Sequence, residues 1–196
     1  MKNWIKLAVT ASLLSMGSTL HADKAPAFTL TDTKGTEHSL SDFKGKTVVL
    51  EWFNPGCPFV KKHYSKGNMQ SLQSTYTEKG VIWLSIVSSA PGKQGHGTPA
   101  EHNAKIAEWK MSPTALLIDE DGKAGKAYGA KTTPHMFVIN GEGEIVYQGA
   151  IDDKRSTNPD HIPDSTNYVK AALDATLSGK AVEVSSTPPY GCSVKY

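Results

Sequence analysis

Hydrophobic and polar positions switch between a strand period and a helix period along the chain, and the switches predict a β-α-β-α order. Residues 28–30 and 38–40 predict two short strands around a turn at Lys34-Gly35. Residues 47–53 are β-branched and aromatic with little alternation, as in a strand buried on both faces. Asn54-Pro55-Gly56 breaks that strand, and Pro58 stands where a first helical residue is favoured. Phe59, Tyr64, Met69 and Leu72 carry an apolar stripe to about Tyr76, which Gly67 and Asn68 should interrupt. Residues 81–87 repeat the buried-strand pattern, and a glycine-rich loop follows over 91–97. Thr98-Pro99-Ala100-Glu101 has the cap, the first-turn proline and the capping-box acid of a helix start. That helix carries Ile106 and Trp109 and ends before Pro113.

Residues 115–118 predict a short strand and 123–128 a short helix. Residues 135–139 and 144–148 predict a hairpin across 140–143, and 168–177 a last amphipathic helix. Strands separated by helices, then a hairpin and a closing helix, argue an α/β fold with a mixed central sheet flanked by helices. Trp52 and Trp83 fall in buried strand patterns and are expected in the core. The tail, 180–196, has Pro188-Pro189 and little periodicity, so it is expected to be irregular and pinned somewhere to the body.

The chain has 196 residues, enough for one domain, 23–179, with a proper core. Its net charge of +2 gives no reason to expect nucleic acid or an anionic membrane surface as a partner. Lys2 and Lys6 begin the chain, and residues 7–20 are uncharged and mostly apolar. That stretch is short of the about 20 residues a spanning helix needs. It reads as a signal peptide over 1–22, cut after Ala22, and implies export to the periplasm or the extracellular space without stable membrane insertion. No phosphate loop or dinucleotide fingerprint is present, so no cofactor is expected.

Export changes how Cys57 and Cys192, the two cysteines of the chain, are read. Cys57 lies between a buried strand and a helix start, where free N–H groups and the helix dipole favour thiolate over thiol. Lys61 and Lys62 follow about one turn later and are expected to add positive potential. A thiolate is the form that attacks disulfides and peroxides. A staple between the two cysteines, worth about 4–5 kcal/mol in the chain-entropy model, and a Cys192 left as an unpaired surface thiol are the alternatives.

The stretch Leu50-Glu51-Trp52-Phe53-Asn54-Pro55-Gly56-Cys57-Pro58-Phe59 resembles the active-site segment of thioredoxin-like reductases. More narrowly, it resembles the peroxiredoxin-like branch of the redoxin (alkyl hydroperoxide reductase and thiol-specific antioxidant) superfamily. Leu116-Leu117-Ile118-Asp119, Ala127-Tyr128-Gly129 and Thr133-Pro134-His135 extend the similarity over about 24–179. The resemblance implies a thioredoxin-like fold, with Pro134 a cis-proline facing Cys57. It also implies that Pro58, Thr133, Pro134 and His135 border the place where substrate binds.

Two departures limit what the resemblance implies. Where thioredoxin-type reductases carry the second cysteine of Cys-x-x-Cys, this chain has Val60. Where peroxiredoxins carry Thr or Ser three residues before the reactive cysteine, it has Asn54, and its only arginine, Arg155, follows the hairpin. A peroxide would therefore lack its donors. Cys192, in the compact Tyr190-Gly191-Cys192-Ser193 motif, is the candidate second thiol. The resulting expectation is a thiol–disulfide oxidoreductase in which Cys57 attacks a protein disulfide or small oxidant and Cys192 closes a disulfide with it. A thiol then acts as electron donor. The rival readings are a thiol peroxidase, a binding module stapled by Cys57–Cys192, and a copper or zinc pair made of Cys57 and His135.

Overall fold

The computed structural model describes residues 23–196, so the signal peptide read at 1–22 lies outside the described residues. Strands β1 (Thr29–Asp32), β2 (Glu37–Ser39) and β3 (Val48–Trp52) come first. Helices α1 (Pro58–Ser65) and α2 (Asn68–Thr77) lead to β4 (Ile82–Val87). Next are α3 (Pro99–Glu108), β5 (Ala115–Ile118), α4 (Lys123–Ala127), β6 (Thr132–Thr133), β7 (His135–Ile139) and β8 (Ile145–Gly149). Helix α5 (Tyr168–Leu177) and β9 (Cys192–Ser193) complete the order.

One seven-stranded sheet runs β2-β1-β5-β4-β3-β7-β8. β3 pairs in parallel with β4, and β4 with β5, while β7 and β8 add antiparallel strands on one side and β1 and β2 on the other. This is the mixed sheet flanked by helices that the sequence argued. All five residues of β3 are buried, because the sheet separates two apolar layers. Val49, Trp83, Val138 and Leu173 belong to the layer under α1, α2 and α5. Leu50, Trp52, Leu84 and Phe137 belong to the opposite layer, with Tyr128 after α4. Trp52 and Trp83 are both fully buried, as expected.

The predicted interruption of the first long helix falls at Gly67, whose φ of 76° caps α2 from the left-handed region. Helix α3 begins with the expected capping box, Thr98 and Glu101 satisfying each other's backbone N–H groups. The tail has more order than its composition indicated. Its residues 185–187 run beside β8, and β9 pairs antiparallel with β6. Among the described residues, no helix is long and apolar enough to cross a membrane.

Candidate active site

The sharp turn after β3 is built by Asn54. Its Oδ1 accepts from Gly56 N–H at 2.8 Å, its carbonyl accepts from Cys57 N–H at 3.1 Å, and its Nδ2 donates to the Gln94 carbonyl at 3.0 Å. That turn delivers Cys57 as the N-cap of α1, with Pro58 at the first helical position. Cys57 is fully buried. Its Sγ lies 3.0 Å from the Thr133 carbonyl and 2.8 Å from Cys192 Sγ.

Burial alone would raise the Cys57 thiol. Donors from the Cys192 thiol, the Cys192 backbone and the Val60 backbone outweigh it and hold the group below its ordinary value. The Val60 N–H is one of the free groups at the start of α1, so this part of the shift has the origin expected from the sequence. The Thr133 side chain adds a smaller contribution in the same downward direction. Cys192 moves the other way: burial, then its hydrogen bond to Cys57 and the Cys57 charge, push its thiol up to about 11.

The peptide bond between Thr133 and Pro134 is cis. Thr133 lies in β6, opposite Cys192 of β9, so the cis-proline loop, the tail and α1 meet at the two sulfurs. Pro58 is exposed beside them. His135 is 5% exposed and directed elsewhere: its Nδ1 accepts from Lys131 N–H at 3.2 Å, and its ring lies 4.6 Å from that of Phe137. Burial, then the charge of Lys131, lower His135 to about 4, so it is neutral at ordinary pH. Among the described residues no hydrogen bond joins His135 to Cys57, and no group of three or more His, Cys, Asp or Glu is gathered to hold a metal.

Lys62 requires a correction. Its side chain is fully buried and turned away from the thiol, with Nζ 3.1 Å from Asp152 Oδ2, 2.8 Å from the Lys154 carbonyl and 3.2 Å from the Tyr190 hydroxyl. A charge neutralised by Asp152 does not supply free positive potential to Cys57. Lys61 is exposed and lines a groove of about 590 Å³ with Pro55, Tyr64, Lys105 and Trp109. Arg155 is exposed after β8, and the Asn54 side chain is spent on the turn.

Sequence reasoning missed Tyr190 and Asp152. The Tyr190 hydroxyl donates to Asp152 Oδ1 and lies 3.4 Å from His63 Nε2, within the cluster that holds Lys62. The one local signal was an aromatic residue next to Gly191-Cys192 in an otherwise irregular tail.

Comparison with known proteins bears on the fold and the family. The thiol-disulfide oxidoreductase ResA of Geobacillus kaustophilus is 31% identical over 132 residues, which are 67% of this chain and 67% of that one. A hypothetical protein from Sinorhizobium meliloti superposes with a TM-score of 0.78 at 27% identity, covering 92% of this chain and 96% of the other. A putative thioredoxin from Neisseria meningitidis superposes over 65% of this chain and 79% of its own, with a TM-score of 0.52 at 23% identity, and shows the fold. The fold is thioredoxin-like. The Redoxin family model matches residues 20–171, and the chain belongs to the Redoxin family.

Proposed function

We propose that the protein is an exported thiol–disulfide oxidoreductase whose working pair is Cys57 and Cys192. The observation that carries this reading is the 2.8 Å approach of the two sulfurs at the start of α1. A disulfide sulfur pair stands about 2.03–2.05 Å apart, so closing the bond needs a movement within the reach of a side-chain rotation. The opposed shifts of the two thiols give the pair a polarity: Cys57 is the nucleophile and leaving group, and Cys192 is its partner. Pro58, Thr133 and Pro134 border the pair, and a protein disulfide or dithiol is the substrate class that the relatives named thiol-disulfide oxidoreductases suggest. The charged start of the chain followed by apolar residues 7–20 supports export.

The deciding measurement is the reduction potential of the pair, from protein equilibrated in graded glutathione buffers with trapping of free thiols. A reversible transition between about −120 and −270 mV is expected of a working exchange catalyst. A bond that resists reduction below about −300 mV is a structural staple, and the oxidoreductase reading is then lost.

A further inference from the structure

The tail is fastened on both sides of Cys192. Before it, Thr187 N–H donates to the Gln148 carbonyl at 3.0 Å, Thr187 Oγ1 accepts from Ala150 N–H at 3.0 Å, and Tyr190 is seated on Asp152 and Lys62. After it, Val194 N–H donates to the Lys131 carbonyl at 3.1 Å, and the Lys195 carbonyl accepts from Ala90 N–H at 2.8 Å. The Tyr196 hydroxyl donates to the Ala130 carbonyl at 2.9 Å. Between these anchors Gly191, at φ 145°, passes so close to the Thr133 carbonyl that a Cβ would collide with it. The result is a covered Cys57, 0% exposed, beneath a Cys192 that is only half-buried.

We propose that Cys192 is the sulfur through which this protein exchanges with outside thiols and disulfides, that Cys57 reacts only with Cys192 beneath it, and that Tyr190 is the positioning residue that seats Cys192 there. This rests on the redox-pair reading above. It reverses the order expected from the sequence, in which the outside disulfide meets Cys57 first.

In the oxidised protein, a partner thiolate attacks Cys192 Sγ. A partner–Cys192 disulfide forms, the Cys57–Cys192 bond breaks, and its electron pair leaves on Cys57 as thiolate. A second thiol of the partner, after losing its proton to water, attacks the partner's own sulfur in that mixed disulfide. The partner's disulfide forms, and Cys192 leaves as thiolate and takes a proton from water. Two electrons pass from the partner dithiol to the pair. In the reverse direction Cys192, after losing its proton to water, attacks a partner disulfide and one partner sulfur leaves as thiolate. Cys57 thiolate then attacks Cys192, the Cys57–Cys192 bond forms, and the second partner sulfur leaves as thiolate. Exchange is fastest when the accessible sulfur is attacked and the more acidic thiol leaves. For reduction of the pair by an outside thiol, access and acidity select the same arrangement.

The test uses the oxidised full chain and glutathione, with acid quenching, alkylation and peptide mass spectrometry. Glutathione is expected on Cys192 in at least tenfold excess over Cys57. In Tyr190→Phe, which keeps the ring but removes the hydroxyl, the share found on Cys57 should rise at least threefold. Glutathione found mainly on Cys57 in the unaltered protein overturns the proposal, and an unchanged distribution in Tyr190→Phe removes the role given to Tyr190. A pair that opens reversibly yet places glutathione on Cys57 sinks this inference alone. A pair that never opens in graded glutathione sinks the oxidoreductase reading beneath it.

Discussion

Glu51 and Asp152 are both carboxylates closed off from water, at 0% and 1% exposure, yet they are satisfied in opposite ways. Glu51 accepts from four neutral donors: Tyr64 Oη, Gln73 Nε2, Trp83 Nε1 and Ser85 Oγ. Burial pushes its carboxyl up, and these donors pull it back without reversing the shift. All of them come from α1, α2 and β4, elements packed on β3 itself. Asp152 instead holds a cation, Lys62, and the hydroxyl of Tyr190, from segments 90 and 38 positions away. A carboxylate held by neutral donors ties together strands and helices that meet in any folded form. The ion pair helps fasten the irregular tail, whose Tyr190 also packs against Phe59. Truncating either partner of a buried pair leaves an uncompensated charge, so the tail's seat is selective as well as stable.

The contrast is broken most forcefully by Asp152→Ala, which strands the Lys62 charge. A loss of about 3–5 kcal/mol is expected in denaturant unfolding of the reduced protein, together with faster proteolysis of the tail. Glu51→Ala leaves neutral donors unsatisfied and should cost about 2–4 kcal/mol. Its tail should stay as resistant to protease as that of the unaltered protein in buffer. If both variants loosen the tail equally, the division of labour between the two carboxylates is wrong.

Acid supplies a finer test, because only the Asp152 cluster contains a histidine. Burial lowers His63 from 6.5 to about 4, with Asp152 opposing and Lys62 reinforcing the shift. Above pH 6.5 neither the folded nor the unfolded form binds this proton. As pH falls through 6.5 the unfolded chain takes it up first, so stability declines until about pH 4 and the contribution is then constant. By pH 5 the loss from His63 is about 2 kcal/mol. His135, held equally low, adds a similar loss beside the tail's other anchor, since Lys131 donates to its Nδ1 and holds Val194 through its carbonyl. Repeating tail proteolysis between pH 7 and pH 5 in His135→Asn, which keeps an acceptor for the Lys131 N–H but cannot titrate, separates the two. A tail that is no more easily cleaved at pH 5 would contradict the place given to His63.

How much of this was legible in the sequence follows from the range of each interaction. β3 and β4 announced themselves because a strand covered on both faces needs an unbroken apolar run, and α5 spans the expected 168–177. Cys57 at a helix start and the cis Thr133-Pro134 bond were likewise readable from local chemistry and resemblance. Strands β6 and β9 were not, since two residues carry no period. Lys62 was misread because a helix places a residue five positions after the cap on a face that sequence alone does not orient. Its partners Asp152 and Tyr190 are 90 and 128 positions away. Nothing local to Lys62 distinguishes it from its exposed neighbour Lys61.

Val60, buried where a second active-site thiol would shorten the ring to a single helical turn, has a thermodynamic consequence. Because the two sulfurs are 135 positions apart, their proximity exists only while the whole chain is folded. Folding and oxidation are then two sides of one thermodynamic cycle. Under the proposed pairing, whatever loosens the domain makes the Cys57–Cys192 disulfide easier to reduce, and forming that disulfide stabilises the fold by the same free energy. Under the proposed pairing a melting curve doubles as a redox titration.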